Sequence, residues 1–213
     1  MSSASPEIVN CPKCNHQQKF AIWKSMNVTL DPELKAKFID GSLTTFSCEA
    51  CSENTGVNYG TLYHDMNQAI MINLSYGEPQ EDMSEMAGLF KGYRVRIVGS
   101  RNELLEKIFI FDAGLDDRMV ELFKVFLTVM LSKEGKEVEE LLFQGVESED
   151  GQKTIEFVVM TTADHSGQSG FAMPWAKYEA FAAKYAHVLP EASEEAGKWL
   201  RVDASYAKAL NLQ

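Results

Sequence analysis

Cys11-Pro12-Lys13-Cys14 and Cys48-Glu49-Ala50-Cys51 between them hold all four cysteines of the chain. Two Cys-x2-Cys pairs put four thiolates on two short knuckles, the ligand set of a tetrahedral Zn²⁺ in a closed structural site. Cys11, Cys14, Cys48 and Cys51 are therefore read as metal ligands, with Zn²⁺ as a structural cofactor. Pro12 fixes φ inside the first loop, and Asn15 just beyond it suits the positive φ that such a knuckle needs. Backbone N–H groups in a turn of this kind point at the sulfurs and offset the excess negative charge of a tetrathiolate site. Cys-Pro-x-Cys also occurs at glutaredoxin-type redox sites. Those follow a strand and open a helix, whereas Asn15-His16-Gln17-Gln18 and an extended pattern follow Cys14, and a second pair has no place in redox chemistry.

Outward from the first knuckle, residues 1–10 read as a short tail. After it, Phe20, Ile22, Val28 and Leu30 recur at two-residue spacings, the period of a strand. Asp31-Pro32-Glu33 then signals a helix start, with Asp31 as N-cap and Pro32 at the first helical position. Leu34, Phe38 and Ile39 give that helix an apolar face, and Gly41 stops it. The 33 residues between Cys14 and Cys48 exceed the spacing of a minimal ribbon, and the inserted helix accounts for the excess. A strand near Leu43–Phe46 leads into the second knuckle, alternation returns at Val57, Tyr59 and Tyr63, and a turn at Asp65–Gln68 precedes the apolar run Ala69–Leu74.

The stretch Gly77–Gly88 is acidic and reads as a linker or arm. Beyond it, Tyr93, Val95 and Ile97 alternate with Arg94 and Arg96, the pattern of a half-buried strand. Ser100-Arg101-Asn102-Glu103 has the form of a capping box opening a helix to Phe111. Asp116 or Asp117 caps a second helix that is apolar nearly all round, the expected central core helix. Strands near Leu141–Val146 and Thr154–Thr161 join through Glu149-Asp150-Gly151 as a hairpin. Ser166–Gly170 reads as a flexible loop, Pro174 begins a helix carrying Tyr178, Phe181, Ala182 and Tyr185 on one side, and a last helix runs from Asp203 to Leu210. The expected fold is α+β: a four-cysteine zinc ribbon with an inserted helix (1–76), an acidic linker (77–91) and an α+β domain with a mostly antiparallel sheet (92–213).

Length and composition set bounds. At 213 residues, 45% hydrophobic and 10% aromatic, the chain can bury a sizeable core. No run reaches about 18 apolar residues, which argues against a transmembrane helix. Met-Ser-Ser-Ala-Ser-Pro-Glu has neither the basic nor the apolar region of a signal peptide. A cytoplasmic location is expected, where clustered thiols stay reduced and serve as metal ligands. The net charge is −11. Residues 1–75 carry five lysines against seven carboxylates, so the cysteine module is not basic. This balance disfavours nucleic acid and anionic membranes and favours a basic protein partner.

Cys11-Pro12-x-Cys14, Asp31-Pro32-Glu33-Leu34, Cys48-x2-Cys51 and Leu62-Tyr63-His64-Asp65 together resemble the CpXC-domain family of bacterial and archaeal proteins. Arg96-Ile97-Val98, Asn102–Ile108 and Gly114-Leu115-Asp116-Asp117-Arg118 are similar to its second half. The likeness covers residues 9–130 and extends more weakly to Leu210. Ser52 departs from it, since glycine is common at that position. The resemblance implies a zinc-ribbon protein and no particular activity.

The remaining polar groups each have an ordinary structural explanation beside a functional one. His64-Asp65 invites a general-base role, but a His-Asp pair between strands serves equally as a turn. His16 is a spare metal ligand that four cysteines make unnecessary. His165 beside Asp164 lies in the glycine-rich stretch, and His187 suits a helix C-terminus. Asp112, Asp116, Asp117 and Glu121 resemble an oxygen-ligand cluster, though their spacing fits no EF-hand and helix caps account for two of them. Arg94, Arg96 and Arg101 form a short basic stripe expected to face solvent or pair with carboxylates. Ser166–Gly170 lacks the Gly-Lys-Ser/Thr of a phosphate loop. The expected function is a non-enzymatic zinc-binding protein acting through protein–protein contact, with neutralisation of a basic toxin or nuclease as one concrete version. The competing classes are a nucleic-acid-binding ribbon and an enzyme with a site at His64/Asp65.

Overall fold

The computed structural model describes residues 1–77, 90–161, 168–195 and 197–210. In chain order the elements are β1 (Ser3–Asn10), β2 (Gln17–Asn27), α1 (Glu33–Ile39), β3 (Thr45–Ser47), β4 (Asn54–Gly56), β5 (Thr61–Asp65), β6 (Ile70–Leu74) and β7 (Arg94–Val98). They continue with α2 (Arg101–Asp112), α3 (Asp117–Lys133), β8 (Val138–Glu149), β9 (Gln152–Thr161), β10 (Gln168–Pro174), α4 (Trp175–Tyr185), α5 (Ala192–Glu195), β11 (Trp199–Leu200) and α6 (Ala204–Ala209). The class is α+β, with the cysteines near the N-terminus. Two compact units result: Met1–Arg101 with Glu195–Leu200, and Asn102–Glu194 with Arg201–Gln213.

The first unit is built on a mixed six-stranded sheet in the order β1-β2-β5-β6-β7-β11. Strands β1 and β2 are antiparallel, as are β5 and β6. Strands β2–β5, β6–β7 and β7–β11 pair in parallel. Residues 1–10 are thus not a tail: Ser3–Asn10 pairs with β2 as far as Asn10↔Gln17. The strand is an exposed edge, so no alternating apolar face marks it in the sequence, and Pro6 is tolerated there. Strand β7 lies inside the sheet, with β6 and β11 on either side. That placement buries Arg96 together with Val95 and Val98, so of the two expectations for the arginine stripe, facing solvent or pairing with carboxylates, the first does not hold for Arg96. Parallel strands covered on both faces bury consecutive residues rather than alternate ones.

Helix α1 starts later than expected. Pro32 takes the N-cap position without a side-chain bond, and Asp31 contributes only its carbonyl, accepting from the Leu34 N–H at 3.1 Å. Leu34 and Phe38 are buried, whereas Ile39 is exposed. Gly41 ends the helix at φ 85°. Arg101 then donates through Nη2 to the carbonyls of Phe38 at 2.6 Å and Ile39 at 3.1 Å, satisfying two groups that the helix end leaves open.

The second unit packs helices with an antiparallel sheet ordered β10-β9-β8. The hairpin at Asp150-Gly151 is a two-residue turn with both φ positive, 49° and 77°, which Asp-Gly suits. Strand β10 takes up Gln168–Gly170, so that part of the expected loop is paired, Gln168 with Met160 and Gly170 with Val158. Helix α3 is buried all round in its first half, from Asp117 to Phe123, while Phe126 and Val129 in its second half reach solvent. Aromatic side chains join α3 to α4, Phe123 meeting Phe181 at 4.9 Å and Tyr178 at 5.3 Å between ring centres. Asp203 caps α6, accepting from the N–H groups of Ser205 and Tyr206. Residues 78–89 of the expected linker over 77–91, the Asp164-His165 pair, Ser166 and Gly167 lie outside the described residues.

Candidate metal centre

Each cysteine pair sits at the tip of a hairpin. Strands β1 and β2 close on Asn10↔Gln17, leaving Cys11–His16 as the loop, and β3 and β4 close on Ser47↔Asn54, leaving Cys48–Glu53. The two loops repeat one hydrogen-bond scheme. Cys11 N–H donates to the His16 carbonyl at 2.9 Å and Asn15 N–H to the Cys11 carbonyl at 2.9 Å. In the second loop Cys48 N–H donates to Glu53 at 2.8 Å and Ser52 N–H to Cys48 at 2.9 Å. Both turns need one left-handed residue, supplied by Asn15 (φ 57°) and Ser52 (φ 58°).

The four Sγ atoms lie within 4.8 Å of one another. Cys11 and Cys51 are 3.6 Å apart at sulfur, and so are Cys14 and Cys48. A disulfide would need about 2.05 Å. A tetrahedron with metal–sulfur bonds of about 2.3 Å has edges of about 3.8 Å, so the quartet fits a metal ion and not two disulfides. Cys11 and Cys48 are buried with Phe46, and Val9, Phe20 and Val57 pack against that cluster. Phe20 stands edge-on to Phe46 at 6.1 Å between ring centres. Cys14 is exposed and Cys51 half-buried, so the site lies at the unit's surface on an apolar base.

Side chains tie the two loops together. Gln18 donates to the Ser47 carbonyl at 2.9 Å and accepts from the Glu49 N–H at 2.8 Å. Lys13 and Glu53 form an ion pair at 3.0 Å above the site. Burial raises the Cys11 thiol, but N–H groups of Cys14 and Lys13 and the thiols of Cys14 and Cys48 outweigh it and bring the value to about 7. The Glu53 N–H lowers Cys51, yet burial and the three neighbouring thiols push it up to about 12. Charge on Cys11 thus opposes charge on Cys51, a repulsion that a dication relieves.

The other residues singled out in the sequence are not brought to this centre. The exposed His16 contributes its carbonyl to the loop. His64 and Asp65 do not act as a pair. Asp65 Oδ1 accepts from the N–H groups of Asn67 and Gln68, closing the turn before β6. The His64 ring instead faces Tyr93 Oη at 3.3 Å and Asn27 Nδ2 at 3.5 Å, and burial lowers its pKa. His187 is exposed in a short 3-10 turn after α4. Asp116 is the N-cap of α3 and clasps Arg118, while Asp112 is exposed. Asp117 and Glu121 are both buried and pair with Lys107, at 3.4 and 3.1 Å.

That last arrangement is the feature that sequence reasoning missed. Glu121 also takes Lys124 at 3.1 Å, and Lys124 reaches Glu106 at 2.7 Å, which gives the second unit a buried chain of five charges. Glu106 further accepts the Phe143 N–H at 2.7 Å. The signal was present as Glu106-Lys107 inside the apolar stretch Leu104–Phe111 and Glu121 with Lys124 inside α3. Charges that interrupt an otherwise all-apolar helix must be paired across it.

A family model described as CpXC protein matches residues 9–124, more than half of the chain. It spans both knuckles and runs into α3. No curated protein matches the chain, and no solved structure does. No helix among the described residues is long and apolar enough to cross a membrane.

Proposed function

The chain belongs to the CpXC family, and from that membership we propose that it is a zinc-ribbon protein whose metal is structural and whose work is done by protein–protein contact. The observation that carries the metal reading is the thiolate quartet itself. Two hairpin tips with matching hydrogen-bond schemes bring four sulfurs within 4.8 Å of one another, which supports a shared ion. Zn²⁺ is the ion we assign to Cys11, Cys14, Cys48 and Cys51, because a closed four-sulfur set suits it and a reducing cytoplasm keeps the thiols available. Four protein ligands leave no open coordination position, which supports a scaffolding role over a Lewis-acid one.

The net charge of −11 supports a basic protein as the partner, with an immunity-type neutraliser as one form of that reading. The use of Asp65 in a turn weighs against the enzyme alternative at His64/Asp65. Metal analysis of the purified chain tests the first part: about one zinc per chain, retained through gel filtration, is expected, and a metal-free, fully folded protein would overturn it. A pull-down at moderate salt tests the second. Capture of a basic protein that elutes as ionic strength rises is expected, whereas salt-sensitive retention of DNA or RNA would shift the assignment to a nucleic-acid-binding ribbon.

A further inference from the structure

We propose that a cleft in the first unit, at the open end of the β5–β6 ladder, binds a small hydroxylated monocarboxylate of the sugar-acid type. The cleft has a volume of about 490 Å³. It follows from how the strands part. Strand β2 pairs with β5 only over Ser25–Asn27 against Leu62–His64, and the two chains separate before those residues. The ladder between β1 and β2 slips at the same place: Ser3 faces Ser25 and Ala4 faces Trp23, which leaves Lys24 opposite no residue. Such a bulge re-aims its extra side chain, and Lys24 lines the cleft. Tyr59 and Tyr76 line it as well, and the Tyr59 hydroxyl is held in place, donating to the Leu43 carbonyl at 2.8 Å.

Thr61 and Asn73, also in the lining, lack what burial demands. Thr61 is 3% exposed and Asn73 6%, yet Thr61 Oγ1 and Asn73 Nδ2 meet no hydrogen-bond partner among the described residues. Buried polar atoms are nearly always paired in folded proteins, so each orphan calls for an explanation. Four such atoms occur among the described residues, and these two stand on adjacent rungs of one ladder beside one cleft. Lys24 is a third unmet group, exposed and with no ion pair or hydrogen bond among the described residues. No carboxylate lines the cleft, so this ammonium is its one charge, in a chain whose net charge is −11.

These groups define the ligand by what they offer. An ammonium and an amide N–H donate, and a hydroxyl does so whenever an acceptor is present. Their complement is oxygen bearing negative charge. One lysine balances one unit of charge, which favours a carboxylate over a phosphate dianion. Thr61 faces Leu74 and Asn73 faces Leu62, so their side chains leave opposite faces of the ladder and a single small ion cannot serve both. Lys24 and Thr61 each precede the paired residues Ser25 and Leu62, which sets them at neighbouring positions for the carboxylate. Asn73 is left for an oxygen further along the ligand, and a hydroxylated chain running round the strand end supplies it.

The reading stands independently of the metal centre and is tested by two-dimensional NMR of the full metal-loaded chain titrated with sodium gluconate. Saturable shifts of the Asn73 side-chain amide and of the Thr61 N–H are expected. Sorbitol carries the hydroxyls without the charge and hexanoate the charge without the hydroxyls, and each should bind more weakly than gluconate. Lys24→Gln should weaken gluconate about tenfold, the loss of one charge-assisted contact. Thr61→Val removes a hydroxyl that holds no bond, so thermal stability should stay level or rise while gluconate binding weakens. A Thr61 hydroxyl with a purely structural role would give the reverse, lower stability and unchanged binding. Absence of saturable shifts with gluconate would overturn the proposal. So would equal affinity for sorbitol, hexanoate or inorganic phosphate at the same resonances, or unchanged affinity in either variant.

Discussion

Asn15 and Ser52 hold the same backbone conformation, φ 57° and 58°, at the same step of two separate knuckles. Each donates its N–H to the carbonyl of its loop's first cysteine, so the two hairpins offer their sulfurs from equivalent frames. The residues do not tolerate the conformation equally. Asparagine enters the left-handed region far more readily than serine, and glycine enters it without steric cost. Ser52→Gly should therefore stabilise the metal-loaded unit by about 0.5–1 kcal/mol, and Asn15→Gly should change it by less. Thermal unfolding of the two variants beside the wild type checks this. A larger gain at Asn15 than at Ser52 would contradict it.

The ligands themselves differ in burial: Cys48 is enclosed with Phe46 and Cys11, while Cys14 faces solvent. Cys48→Ser removes both a ligand and part of the apolar base. We expect loss of the metal and collapse of the resonances of Phe46 and Val57, with those of Phe143 and Phe157 in the second unit retained. Cys14→Ser should lower metal affinity while leaving that apolar base in place. Metal content and two-dimensional NMR of each variant decide the matter, and a Cys48→Ser protein with full metal and native signals would refute the scaffold role.

What was legible in the sequence was what is local. The Cys-x2-Cys pairs, the left-handed Asn15, the Asp150-Gly151 turn and the start of the last helix at Asp203 each depend on a few neighbouring residues, and each stands where the pattern put it. Strand β1 was missed because an exposed edge strand carries no apolar face to betray it. Burial of Arg96 was missed because strand order across a sheet is not written in the strand itself. The ionic chain of the second unit joins Lys107 to Glu121 and Glu106 to Lys124, pairs fixed only once α2 and α3 are packed together. Polar residues read singly look like surface, and only their partners make them core.

Arg101 illustrates the same distance effect with a measurable consequence. Its guanidinium reaches back to the last carbonyls of α1 and lies over the Phe38 ring, 5.3 Å from its centre. A lysine there keeps the charge but loses the fork and the stacking. Arg101→Lys should destabilise the first unit by about 1 kcal/mol and Arg101→Ala by about 2 kcal/mol. Hydrogen exchange at Asp40 and Gly41, whose N–H groups bond into the end of α1, should accelerate in both. Unchanged exchange would show that the contact carries no weight.

Lys107 gives the sharpest prediction. Its ammonium is the partner in the ionic chain that reaches both Asp117 and Glu121, and all three side chains are almost wholly buried. Lys107→Met fits the space but strands a buried carboxylate, which costs about 3–5 kcal/mol. The pH dependence follows from the raised pKa of Lys107, where burial pulls down but Glu121 and Asp117 more than compensate. A lysine raised in the folded state contributes stability that is fully present below its unfolded value of about 10.4 and is lost as pH rises through the higher folded one. The stability difference between wild type and Lys107→Met should therefore hold constant from about pH 7 to pH 10 and shrink only above. It should also shrink in acid, as the stranded carboxylates of the variant take up protons. Urea unfolding of both proteins across that range measures the difference directly, and a gap that closes between pH 7 and pH 9 would rule out the buried charged pair.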